Sequence, residues 1–152
     1  GTGIDGFYVS LQGGEYDRFS GEFFNAWLKP LDVMLLNALK NTGKLVFLHI
    51  CGSNIRLENY YDYPGDIVNL AFCDNGMTLD EGAKKFKRPV MGGLSNHGVI
   101  CDGTGEEIKR ETARVLSSNH SPVMLGADCT IQSNVPRDHL KWAVEAAHAF
   151  QQ

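Results

Sequence analysis

His49-Ile50-Cys51 closes the apolar run Leu45-Val46-Phe47-Leu48 and sets an imidazole and a thiol two positions apart. Side chains at i and i+2 of a strand share a face, so both groups can reach one ion. A second thiol, Cys129, follows Gly126-Ala127-Asp128 directly after another apolar run, Pro122-Val123-Met124-Leu125. Two thiolates and one imidazole form a zinc donor set that leaves a fourth position for water or substrate, the arrangement of a catalytic zinc. A plainer account has the cysteines packing as small hydrophobes and the histidine hydrogen-bonded at a strand end. Spacing alone leaves both accounts open, because His-x-Cys is less specific than paired Cys-x-x-Cys motifs.

Bringing such groups together requires strands that end at a common rim. Five short apolar segments recur, at Gly6–Ser10, Leu45–Ile50, Ile67–Phe72, Pro89–Leu94 and Pro122–Ala127, and each reads as a buried parallel strand. Helical stretches separate them. Ser20 can cap a long helix whose wide apolar face, Phe23 to Leu39, suits packing on a sheet; Pro30 should kink it and Gly43 end it. Thr78 with Glu81, and Thr104 with Glu107, are capping-box pairs that open two further helices. A last helix follows Pro136, with Trp142 and Phe150 as packing residues.

Strand alternating with helix implies a parallel sheet with helices outside it. Gly3-Ile4-Asp5-Gly6 resembles a helix-to-strand turn without its helix. The expectation is therefore an α/β fold made of about the last five βα units of a (β/α)8 TIM barrel, with residues 1–152 as one domain and the amino-terminal portion absent. A doubly wound open sheet is the alternative, though no Gly-x-Gly-x-x-Gly follows a strand. In both architectures chemistry gathers at the carboxyl ends of strands.

Composition narrows the partners. The 152 residues are 43% hydrophobic and 21% charged with a formal charge of −4, which suits one modest core and offers no basic stripe for nucleic acid. Apolar stretches are strand-sized, so neither a membrane span nor a signal peptide is expected. Four cysteines without close pairing point to reduced thiols and a cytoplasmic setting. Around the rim, Asp128 could orient His49 or simply hold a turn, and His97, after a strand, could touch substrate or fill a loop. Cys73, at a strand's carboxyl end, could replace a ligand or line the pocket, and reads more simply as a buried, inert thiol. His120, His139 and His148 fall at the wrong end or on the outside.

Leu48-His49-Ile50-Cys51-Gly52, Val90-Met91-Gly92-Gly93-Leu94, Gly103-Thr104 with Glu106-Glu107-Ile108, and Gly126-Ala127-Asp128-Cys129-Thr130 with Pro136 together resemble the carboxyl-terminal part of the uroporphyrinogen decarboxylase superfamily. Within it, the His-x-Cys and distant Cys look like the zinc site of the methylcobalamin:coenzyme M methyltransferase branch and its corrinoid-dependent demethylase relatives. The resemblance implies that His49, Cys51 and Cys129 hold Zn2+. It also implies a methylcorrinoid donor, on a separate protein or as a small molecule, and a thiol acceptor. The decarboxylase's Gly-His-Gly after the last strand is Gly126-Ala127-Asp128-Cys129 here, and its Gly-Asn-Leu-Asp-Pro is Gly92-Gly93-Leu94-Ser95-Asn96. Porphyrin decarboxylation is therefore the weaker expectation. A zinc-free, tetrapyrrole-binding lyase and a non-catalytic barrel fragment that pairs with itself or with a missing half are the alternatives.

Overall fold

The structure, a computed structural model, describes residues 3–121 and 123–150. Pro122, expected to open the last strand, lies outside them. Strands β1 (Gly6–Leu11), β2 (Leu45–Ile50), β3 (Ile67–Leu70), β4 (Val90–Leu94) and β5 (Val123–Ala127) form one parallel sheet in the order β1-β2-β3-β4-β5. Every strand lies beside its successor, so the chain advances across the sheet in one direction. A doubly wound sheet reverses at a switch point; this one does not, and the architecture is that of five successive units of a (β/α)8-type barrel.

Alternation along the strands divides the sheet into two faces. Val46, Leu48, Ile50, Val68, Leu70 and Val90 are all 0% exposed on the face that the helices cover. Each such side chain contributes roughly 1.5–3 kcal/mol by leaving water. The other face carries a transverse row set by register, Ser10, His49, Asn69, Met91 and Met124. Over it Tyr8, Leu45 and Met124 remain exposed.

Helix α1 (Gly21–Phe23) starts where Ser20 Oγ accepts from Phe23 N at 3.1 Å. It runs through a π-helical turn (Phe24–Leu28) into α2 (Lys29–Lys40). Pro30 has no N–H to return to the preceding turn, and the wider turn, in which Lys29 N donates to Phe24 O, absorbs the defect. A π-helical turn stands where the kink is expected. The wide apolar face is only partly covered: Phe24 and Leu36 are buried, whereas Trp27, Leu31 and Met34 are 61–66% exposed. One sheet reaches only one side of so wide a stripe.

Helices α3 (Leu79–Phe86) and α5 (Gly105–Ser117) both carry complete capping boxes, from Thr78–Glu81 and Thr104–Glu107. The short α4 (Val99–Asp102) links β4 to α5. On α6 (Arg137–Phe150), Trp142 lies against Gly105 and stacks on His139 at 5.3 Å, but Phe150 is exposed. His139 is buried rather than outside, with Nδ1 2.9 Å from Ile100 O. Strand β3 also stops two residues early. Asn75 takes the Ala71 carbonyl through both its backbone N–H (3.1 Å) and its side-chain amide (2.9 Å), which pulls Ala71 and Phe72 out of the ladder. Among the described residues no helix is long and apolar enough to cross a membrane.

Candidate metal centre at the carboxyl rim of the sheet

His49 sits one residue before the end of β2, and Cys51 follows the strand with its N–H still donating to Leu11 O on β1 at 2.9 Å. The extended backbone across that junction keeps both side chains on the inner face. Beyond it the chain must turn sharply. Gly52 adopts φ +114°, and a Cβ there would stand 3.2 Å from Glu15 Oε1, so glycine satisfies both the conformation and the close approach. Asn75 then pins the turn by donating to Gly52 O (3.1 Å) and accepting from Ile55 N (3.0 Å).

Cys129 arrives from β5, two residues beyond its end. Its approach is held by Asp128, whose N–H donates to Leu94 O at 2.9 Å and whose carboxylate accepts from Gly93 N at 2.6 Å. Burial pushes the Asp128 carboxyl up from the ordinary range, against the N–H groups of Gly93, Cys73 and Phe72 that pull it down. Asp128 thus holds a turn; its carboxylate does not orient His49.

The three donors converge. Cys51 Sγ lies 3.9 Å from Cys129 Sγ, Cys129 Sγ lies 3.6 Å from His49 Nε2, and ligand atoms of all three fall within 4.8 Å of one another. Tetrahedral zinc with Zn–S of about 2.3 Å and Zn–N of about 2.0 Å separates its sulfurs by roughly 3.8 Å and sulfur from nitrogen by roughly 3.5 Å. The donor set fits that ion without rearrangement of these two edges. Burial, and after it the neighbouring Cys129, pushes the Cys51 thiol up, so without a cation this thiol holds its proton through neutral pH.

Two residues that the sequence did not bring forward complete the surroundings. Asn69, fully buried in the middle of β3, places Oδ1 2.5 Å from His49 Nδ1 and 2.5 Å from the Tyr8 hydroxyl. Tyr8 stacks on the His49 ring at 5.4 Å with 22° between planes. Burial first, then the Cys129 and Cys51 sulfurs, push its phenol up to about 12, so it keeps its proton and donates. The available signal was strand register: Tyr8 and Asn69 lie on the face that carries His49, in an otherwise apolar setting. An open cavity of about 490 Å³, lined by Glu15, Asp17, Arg18, Gly52, Ser53 and Asn54, adjoins Cys51 along the chain.

Other rim residues stand apart. His97 is exposed, with Nε2 3.2 Å from its neighbour Asn96 Nδ2, in a loop. Cys73 is exposed rather than buried, since β3 ends before reaching it. His120 pairs with Asp80 at 3.3 Å, at the amino end of β5.

A parallel sheet wound in one direction, with a candidate donor cluster gathered where its strands end, defines a barrel-type α/β protein. The chain belongs to the Uroporphyrinogen decarboxylase (URO-D) family, whose model matches residues 14–150. It is 25% identical over 136 residues to the Methylcobamide:CoM methyltransferase MtbA of Methanosarcina mazei and 24% identical over 136 residues to that of Methanosarcina acetivorans. Each match covers 89% of this chain and 39% of the relative, so the chain spans about two-fifths of those proteins' length. A solved methyltransferase from Methanosarcina mazei shares the fold, with a TM-score of 0.79 at 20% identity over 99% of this chain and 43% of that one.

Proposed function

We propose that this chain carries a zinc centre, held by His49, Cys51 and Cys129, that serves methyl transfer from a methylcorrinoid to a thiol. The observation that carries the proposal is the convergence of one ring nitrogen and two sulfurs within 4.8 Å of one another, with the Cys51–Cys129 and Cys129–His49 separations close to those of tetrahedral zinc. The methyltransferase relatives support the reaction class. Zinc bound here would act as a Lewis acid that removes the proton from a substrate thiol and keeps its sulfur nucleophilic at neutral pH.

The chain's own residues have separate tasks. Cys51 and Cys129, as thiolates, offset the charge of the cation, which leaves the acceptor sulfur electron-rich and favours attack on carbon over activation of water. His49 supplies the neutral ligand. Tyr8, still protonated, walls the site with its ring and adds no charge. In the balanced reaction the thiol's proton goes to solvent and a sulfur–carbon bond forms. The cobalt–carbon bond breaks with its electron pair left on cobalt.

The corrinoid partner is a separate protein or a free small molecule. Residues 1–152 form the carboxyl-terminal part of the proposed barrel, and the exposed Tyr8, Leu45 and Met124 support covering of the inner face by the rest of a barrel or by a second copy. A soluble monomer in light scattering would contradict that pairing. The four free cysteines favour a reducing compartment.

The reaction itself is tested by supplying the zinc-loaded protein with methylcobalamin and a small thiol. The methyl thioether is followed by mass spectrometry and the reduced corrinoid by its absorbance. Zinc-dependent formation of both is expected. Uroporphyrinogen decarboxylation without zinc, and no thioether, would select the lyase instead.

A further inference from the structure

We propose that Asn69 is the positioning residue of this centre: its amide fixes His49 as the Nδ1-protonated tautomer and fastens the strand end that leads to Cys129. The role rests on the metal reading for its purpose, but its geometry stands on hydrogen bonds within the protein.

Asn69 lies at the middle of the sheet, flanked by His49 on β2 and Met91 on β4. Its Nδ2 is 2.8 Å from Met91 O and 3.0 Å from Ala127 O. Both partners are backbone carbonyls and can only accept, so the NH2 group must face them. The amide oxygen therefore faces the other way, and it too can only accept. Its two neighbours, Tyr8 Oη and His49 Nδ1, must both donate. His49 consequently carries its proton on Nδ1 and its lone pair on Nε2, the atom 3.6 Å from Cys129 Sγ. All four hydrogen-bonding positions of the Asn69 amide are used, which leaves no competing orientation in a fully buried site.

The second half of the role follows from Ala127, which stands two residues before Cys129. One amide on β3 thus reaches the four other strands: it orients the nitrogen donor from β2 while holding the backbone of β5 from which a sulfur donor projects. Stacking of Tyr8 on the imidazole restrains ring rotation from the open side. A residue that only filled the core would need none of these four contacts. An aliphatic side chain of similar size would leave Met91 O, Ala127 O and His49 Nδ1 without their partner.

The test reads the tautomer directly in the zinc-free protein, by 15N NMR of the histidine ring nitrogens at about pH 8.5, roughly two units above the ordinary imidazole pKa. A pyrrole-type signal at Nδ1 and a pyridine-type signal at Nε2 are expected for His49. Asn69→Leu should shift population to the Nε2-protonated form and weaken zinc binding by about 10- to 100-fold in chelator competition. Thr104→Ala, a destabilising change at a helix cap away from the rim, should leave the tautomer as it is. An Nε2-protonated His49 in the unaltered protein would overturn the proposal, as would an Asn69→Leu protein with unchanged tautomer and zinc affinity. The spectrum of the unaltered protein decides even if Asn69→Leu does not fold. If the tautomer is as stated and zinc fails to bind, the metal centre falls and the role of Asn69 in orienting His49 stands.

Discussion

On the outer face of the sheet, Val46, Leu48, Ile50, Val68, Leu70 and Val90 are sealed beneath helices and carry no polar group. On the inner face the same strands present Tyr8, His49 and Asn69 in a hydrogen-bonded cluster, flanked by Leu45 and Met124 in the open. The two faces are interleaved residue by residue, so one backbone serves two ends. Stability rests on the outer set, and the inner set is free to hold groups that a dry core would not tolerate unpaired. Substitutions should therefore separate along the alternation, with outer changes costing stability and inner changes costing chemistry.

The largest separation is expected at the donors. Cys51→Ser or Cys129→Ser should lower zinc affinity by more than about 100-fold, beyond the upper range for losing an outer partner of a ligand, while zinc-free thermal unfolding stays near that of the unaltered chain. Chelator competition and calorimetry together check this, and equal losses in both would break the division between faces. The converse is Leu48→Ala, which empties a sealed site at a cost of about 2–5 kcal/mol in denaturant unfolding. Whatever protein remains folded should keep its zinc.

A pH experiment sharpens the outer side. Asp80, at the start of α3, accepts from the backbone N–H groups of His120 and Ser121 ahead of β5, and the Ser121 side chain first, then the Ser121 and His120 N–H groups, lower its carboxyl to about 2. A folded value below the ordinary Asp value of about 3.9 means the contribution is fully present above that value and lost as pH falls toward about 2. The difference in melting temperature between the chain and Asp80→Asn should close across that window, and a constant difference would contradict the assignment. The smallest effect is expected at Leu45→Ala, half-exposed on the inner face, within about 0.5 kcal/mol; a core-sized loss would show that this face is covered in solution.

The amino-acid pattern disclosed some of this and hid the rest for definable reasons. The run Leu45–Leu48 and its His-x-Cys end fix a strand and its inner face, because a period of two leaves no choice about which side chains point together. Asn69 was masked by its neighbours: Ile67, Val68, Leu70 and Phe72 read as a run buried on both faces, and one amide within it looks incidental until β3 is placed beside β2. Asp128 was ambiguous instead: its position next to Cys129 suited either a partner for His49 or a turn residue, and turn geometry directs its carboxylate to Gly93 N. The exposed Trp27, Leu31 and Met34 illustrate a third kind of gap, because an apolar stripe declares that it packs without declaring how much of it one sheet can cover.

Zinc-edge X-ray absorption on the purified protein, with metal content measured in parallel, tests the central claim most directly. One zinc per chain is predicted, bound by two sulfurs at about 2.3 Å and a ring nitrogen at about 2.0 Å, with a light-atom fourth ligand that a thiol replaces. No stoichiometric zinc, or zinc without sulfur neighbours, would contradict the account.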